Sequence, residues 1–281
     1  MVSPARLIRF AGCAAFVLLA AAAQLQEKLN TEYAARVRIT VRDGASGNAM
    51  PARVYLFKGQ TPFRLSPVDA FLPLKVDLFY RERLWFGAEN PKTLEVTARD
   101  FSHTYLLTGQ AEFELPASGD YRLEVYRGHF NRPQTVSFSA EAGQTKEVSV
   151  TLEPVAPGRQ EQWLASDDHI HLMRSRRDDA VFLNWLAAED LAVGNFLELQ
   201  RQQHAAVQYA FGTGGEAKMA GYSIRSGHES RSVPYGHTLF LGVGEMIRPL
   251  SVGAELANTP DAYPFPHILF RRGRDAGGLT G

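Results

Sequence analysis

Strict alternation of apolar and polar residues is what most constrains this chain. Ala35-Arg36-Val37-Arg38-Ile39-Thr40-Val41 repeats with a period of two, Asp43-Gly44 breaks the run, and Ala52-Arg53-Val54-Tyr55-Leu56-Phe57 resumes it. Side chains of an extended strand point to opposite faces in turn, so such a run buries one face and wets the other. The signature returns in Ala111 to Leu115, Tyr121 to Tyr126, Thr135 to Ala140 and Thr145 to Leu152. Pro116-Ala117-Ser118-Gly119 and Ala142-Gly143 supply turn residues between them. Short strands at this spacing predict an antiparallel β-sandwich over residues 34–154, closed by a linker at Glu153-Pro154-Val155-Ala156-Pro157-Gly158. Between Leu65 and Phe101 the pattern loosens and Phe71, Phe79, Tyr80, Trp85 and Phe86 gather. Those rings could pack inside or form a platform for sugars; burial is the commoner use of aromatics.

Past the linker the period changes. Asp178 or Asp179 can cap a helix that buries Val181, Phe182, Trp185 and Leu186, and Leu191 to Phe196 then reads as a parallel strand. Tyr222 to Ser226 and His237 to Val243 are further strands, and Ile268 to Arg274 is a helix ended by Gly277-Gly278. Strand–helix–strand order points to an α/β unit. Before the first helix stands Asp167-Asp168-His169-Ile170-His171-Leu172. On a strand, His169 and His171 share a face with Asp167, so two imidazoles can grip one divalent ion while the carboxylate orients a ring. Partly exposed strand histidines would look the same. Six of the eight histidines follow residue 160, and Ser226-Gly227-His228-Glu229 and Tyr235-Gly236-His237 add a carboxylate and an imidazole downstream. Imidazole and carboxylate donors together suit Zn, Mn or Fe, one ion or two.

At these phrases a family resemblance emerges. Trp163 to Leu250 resembles the start of a PHP-type metallohydrolase of the CehA/McbA-like, carbaryl hydrolase-like branch. Its carriers are Asp167 to Leu172, Ala188-Glu189-Asp190-Leu191, Ser226 to Glu229, Gly236-His237 and Ile247-Arg248-Pro249-Leu250. The resemblance implies that residues 161–281 form the first part of a distorted TIM-like α/β barrel. It also implies His169, His171, Glu229 and His237 as metal ligands and water-driven hydrolysis of an ester, carbamate or phosphoester of small-molecule size. Two departures stand out. Asn195 lies where the family carries an Asp-His pair, and the chain reaches Gly281 before the family's later histidine motifs. About half of the ~250 residues of a closed barrel are present, so the expectation is the N-terminal portion of an enzyme. Gly119 to Gly128 resembles the last strands of carboxypeptidase-regulatory or transthyretin-like modules, which implies that type of sandwich upstream.

Residues 1–23 read as a signal peptide, with Arg6 and Arg9 ahead of an alanine-rich apolar run and a small-residue cleavage site at Ala21-Ala22-Ala23. The sole cysteine, Cys13, lies inside it, so the mature chain carries no thiol, as suits a periplasmic or extracellular protein. A formal net charge of zero argues against nucleic-acid binding, and cleavage would leave no stable membrane partner. Arg174, Arg176 and Arg177 are expected on a solvated loop, able to draw anions; His228 at the surface or behind the metal ligands; His204 in a solvated, helix-compatible run. The rival function is a non-catalytic secreted binding protein that uses its β-sandwich beside a remnant barrel.

Overall fold

A computed structural model describes residues 35–63, 69–73, 84–88, 91–97, 102–115, 118–156, 163–201, 204–232, 236–248, 251–252 and 265–281. The expected signal peptide, Phe79, Tyr80, Pro116-Ala117 and Pro157-Gly158 lie outside them.

The alternating runs are strands. The first region comprises β1 (Ala35–Asp43), β2 (Ala52–Lys58), β3 (Thr61–Phe63), β4 (Ala70–Pro73), β5 (Trp85–Phe86), β6 (Thr93–Thr97), β7 (Ser102–Leu106), β8 (Gln110–Leu115), β9 (Gly119–Tyr126), β10 (Gln134–Ala140) and β11 (Thr145–Leu152). Three strands in the order β11-β1-β8 face a larger sheet, β10-β9-β2-β7-β6-β4-β5, with β3 beside β2. Their inward residues, among them Val37, Ile39, Val54, Leu56, Phe113, Leu123 and Val150, form one buried cluster. The arrangement is not the purely antiparallel one expected. β1 runs parallel to β11 and β4 parallel to β6, because each pair is joined by a long excursion through other strands instead of a hairpin.

The second region comprises β12 (Ala165–Ile170), α1 (Asp179–Ala188), β13 (Leu191–Arg201), β14 (His204–Ala206), β15 (Ala217–Met219), β16 (Tyr222–Ser232), β17 (Gly236–Leu241), β18 (Ser251–Val252), α2 (Pro266–Asp275) and β19 (Leu279–Thr280). Its sheet runs β12-β13-β16-β17-β19. The expected TIM-like barrel is absent. A barrel needs each strand to be followed by a helix that brings the next strand alongside in parallel. Among the described residues only β12–α1–β13 does this. β13 reaches β16 through β14, a 3-10 turn at Gly212–Gly215 and β15, and β16 then pairs antiparallel with β17. The result is an open mixed sheet. The strand expected over Tyr222 to Ser226 continues as β16 to Ser232, and His204 opens a short strand where a helix-compatible run was expected. No helix among the described residues is long and apolar enough to cross a membrane.

The helix α1 joins the two regions. Val181, Phe182, Leu183, Leu186, Ala187 and Ala188 are all buried, which leaves little polar face. A helix apolar on more than one side must be covered on more than one side. One side packs on Phe196 and Ile224 of its own sheet and the other on Leu94, Val96 and Tyr105 of the first region, in a single cluster. At its C-terminal end Glu189 accepts from Arg53 Nη1 (2.6 Å) and from the Tyr105 hydroxyl. Asp190 meets Arg127 Nη2 at 2.7 Å from a left-handed backbone, φ 54°. Gly128 leaves room for that turn, since a β-carbon there would collide with the Asp190 side chain. The Ala188-Glu189-Asp190-Leu191 phrase therefore joins the regions.

Candidate metal centre

His169 lies at the end of β12, the edge strand of the open sheet, and His171 just beyond it. The pairing of β12 with β13 shifts register between Asp167 and Ile170, so ideal alternation does not hold there. The two imidazoles nevertheless converge, Nε2 to Nε2 at 3.0 Å. They lean across β13 toward Glu229 of β16. Its Oε2 lies 3.1 Å from His169 Nε2 and also contacts His171 Nε2. The three ligand atoms fall within 4.8 Å of one another. Glu229 is fully buried while His169 is exposed, so the cluster has a dry floor and an open mouth.

Local packing explains how Glu229 is placed. Residues 227, 229 and 231 of β16 share one face of the strand. At Gly227 a β-carbon would strike the Leu197 side chain and the Phe240 carbonyl, so only glycine lets the neighbouring strands close up beside the carboxylate. Glu229 Oε1 receives Arg231 Nε at 2.7 Å and His237 Nδ1 at 2.8 Å, and Arg231 Nη2 reaches Oε2 at 3.2 Å. Burial alone would push the Glu229 carboxyl up. Hydrogen bonds from His171, where its Nε2 carries an added proton, from Arg231 and from His169 outweigh it and hold the group well below the usual carboxylate range.

His171 carries the most informative contact. Its Nδ1 lies 3.2 Å from the Leu197 carbonyl, which can only accept, so Nδ1 is the protonated nitrogen. In the neutral ring Nε2 then presents a lone pair directly to a carboxylate oxygen. Two acceptors in contact repel unless a cation or an added proton lies between them. Two imidazoles and a carboxylate arranged in this way fit a hard-to-borderline dication such as Zn, Mn or Fe.

Of the residues singled out from sequence, His169, His171 and Glu229 meet directly, and His237 joins through the far oxygen of Glu229 from a half-exposed position. Asp167 Oδ1 accepts from the His169 backbone N–H at 2.9 Å, so it fixes the strand instead of orienting a ring. Asn195 donates to the Asp167 carbonyl at 3.3 Å and serves the same end. His228, expected at the surface or behind the ligands, is buried on the opposite face of β16 and stacks on Phe240, ring centroids 5.3 Å apart. Arg174 is not on a solvated loop. Its guanidinium is buried against Asp179 (2.7 Å), the Gly215 carbonyl and Ser226 (2.6 Å each), while Arg176 and Arg177 stay exposed. Arg231 escaped sequence reasoning, although Glu229-x-Arg231 on a strand was signal enough.

A cleft of about 1020 Å³ runs along the free edge of β12. His169, His171 and Asp168 line one wall, and Arg53, Tyr126 and His129 of the first region line the other. No family model matches this chain, and no curated protein does. Among solved structures it is similar to the minor pilin of the Gram-positive pathogen Streptococcus agalactiae, at 13% identity and a TM-score of 0.28. That match covers 45% of this chain and 47% of the pilin, so the chain spans about half of that structure's length. A score that low is short of a shared fold, and no functional conclusion follows from it.

Proposed function

We propose that the chain is a metal-dependent hydrolase of small molecules, acting on an ester, carbamate or phosphoester at His169, His171 and Glu229. The observation that carries the reading is the meeting of two imidazole Nε2 atoms with one buried carboxylate oxygen, in a tautomer that turns the His171 lone pair toward it. The order of motifs that resembles the CehA/McbA-like hydrolases supports the same reading. A dication held there supplies Lewis acidity: it acidifies water and draws charge from a carbonyl or phosphoryl oxygen. The chain's own residues do the rest. The Leu197 carbonyl sets the His171 tautomer, the buried floor under Glu229 excludes bulk water, and the exposed His169 side opens to the cleft. The pattern of Arg6, Arg9 and the alanine-rich run in residues 1–23 supports export to the periplasm or the cell exterior.

Metal content by mass spectrometry tests the reading. After dialysis against Zn or Mn the chain should retain metal, and His171→Ala should lose most of it. Equal metal in both would overturn the assignment.

A further inference from the structure

A second cavity, of about 310 Å³, lies at the other end of β12 from the metal centre, where Trp163, Leu164 and Ala165 border the junction between the regions. It shares no lining residue with the metal cleft. Trp163 is 68% exposed and Leu164 79%, so two large apolar side chains stand in water on one side of it. The other walls are polar and more enclosed, with Asp43, Arg127, Asn131, Asp190 and Tyr222 among them. Ligand pockets combine an apolar surface with a few convergent polar groups in this way, and they favour junctions between structural units.

Those polar groups are fixed in advance. Arg127 Nη2 binds Asp190 Oδ1 at 2.7 Å and the Tyr222 hydroxyl at 2.8 Å, and the hydroxyl donates to Asp190 at 3.4 Å. Asn131 is only 7% exposed. Its amide nitrogen donates to the Arg127 carbonyl at 3.0 Å and to Asp190 at 3.4 Å, while its Oδ1 takes no donor among the described residues. Asp43 Oδ1 accepts from the Ala45 and Ser46 N–H groups at 2.7 and 2.9 Å, which fills part of the roughly four acceptor sites of a carboxylate. The Ser46 and Ala45 N–H groups hold the Asp43 carboxyl below its usual value, and the Arg127 charge adds to the effect.

Charge and size narrow the ligand. Asp43 and Asp190 repel an anion, and Arg127 between them repels a cation. A neutral molecule whose groups both donate and accept meets neither objection, and hydroxyls do both. At about 30 Å³ per water the cavity holds roughly ten waters, room for one six-membered sugar ring and not for a row of them. An indole face carries the negative lobe of its quadrupole, which draws the weakly positive C–H bonds on one side of such a ring. We infer that this cavity binds a single neutral sugar ring, with its C–H face on Trp163 and its hydroxyls on Asp43 and Asn131. The inference goes beyond the hydrolase reading and does not depend on it.

The test uses the full chain and the methyl glycosides of glucose, galactose, mannose and N-acetylglucosamine. Saturation-transfer NMR reports contact, and tryptophan fluorescence gives the affinity. At least one glycoside should bind with a Kd on the order of 1 mM. Trp163→Ala trims an exposed side chain, so it should fold as the wild type does and bind roughly tenfold more weakly. Asp43→Asn keeps an Oδ1 for Ala45 and Ser46 and should also weaken binding, by roughly tenfold. The matching tetrasaccharide should bind no better than the glycoside; a gain of more than about tenfold would overturn the single-ring site. Failure of every glycoside to bind the wild type would sink the inference, as would equal affinity in Trp163→Ala. Saturable binding of acetate or tetramethylammonium in place of the glycosides would show a site for charged ligands and overturn it too.

Discussion

Two buried charge clusters sit on opposite faces of β16, and they are built in opposite ways. On the Ser226 face, Arg174 is a cation with no side-chain exposure, ringed by acceptors: Asp179, the Gly215 carbonyl, Ser226 and Gln208. Tyr209 closes the ring by donating to Asp179 at 2.7 Å. Each donor meets an acceptor, and the guanidinium charge meets a carboxylate. On the Glu229 face a buried carboxylate is ringed by three imidazoles and a guanidinium, and two of the imidazole nitrogens stand 3.0 Å apart. That grouping crowds lone pairs around one point. A cluster complete in itself holds the fold; a cluster that calls for a cation holds something else.

The contrast breaks most easily at its structural half. Arg174→Met removes the cation and leaves Asp179 facing an apolar stem, with the Gly215 carbonyl and Ser226 short of a donor. Breaking a buried pair from one side costs about 3–5 kcal/mol, and denaturant unfolding should show a loss of that size. Glu229→Gln keeps the side-chain shape and should cost distinctly less stability, while metal retention collapses. If Glu229→Gln proves the more destabilising of the two, the division into structural and functional clusters is wrong.

A smaller effect separates the regions by pH. Burial, and then the Arg53 charge, lower the His103 imidazole from 6.5 to about 4. Between those values the unfolded chain binds a proton that the folded chain refuses, so stability falls as pH drops through 6.5 toward 4, by on the order of 3 kcal/mol in all. Glu229 acts in a more acid window. Its carboxyl is held low, so its contribution is present above its ordinary value of 4.5 and is lost only as pH falls further. Unfolding measured from pH 7 to pH 4 should show a shallower slope for His103→Phe than for the wild type. Parallel slopes would mean that His103 charges freely in the folded protein.

Much of this was legible in the sequence where one local rule decides the outcome. The runs at Ala35 to Val41 and Tyr121 to Tyr126 became strands because period-two alternation suits nothing else. His169 and His171 converged because two residues on an edge strand reach the same side even across a register shift. What local rules missed was set by distant partners. Arg174 stands among other arginines and reads as solvated, yet Asp179, Gly215 and Ser226, far apart in sequence, enclose it. The barrel failed for a related reason. Gly227 is small so that Leu197 can pack over it, and β16 runs on to Ser232, where it pairs antiparallel with β17. Because β16 pairs antiparallel with β17, with Ser232 opposite Gly236, this step is not the strand–helix–parallel-strand unit that a barrel repeats.

The smallest predicted effect concerns the junction between the regions. Glu189 accepts from Arg53 and Tyr105, and its side chain is 19% exposed. Partial exposure discounts the ion pair, so Glu189→Gln should cost only about 1–2 kcal/mol, read from denaturant unfolding. The apolar contact of α1 with the first region remains, with Trp185 edge-on to Tyr105 inside the shared cluster. Metal retention should not change, because Glu189 lines the cleft but stays out of the donor set. Loss of metal in Glu189→Gln would instead mean that the Glu189–Arg53 contact holds β12 in place for His169. The sandwich would then be part of the metal centre's architecture and not only its neighbour, and the division of labour between the regions would have to be redrawn at α1.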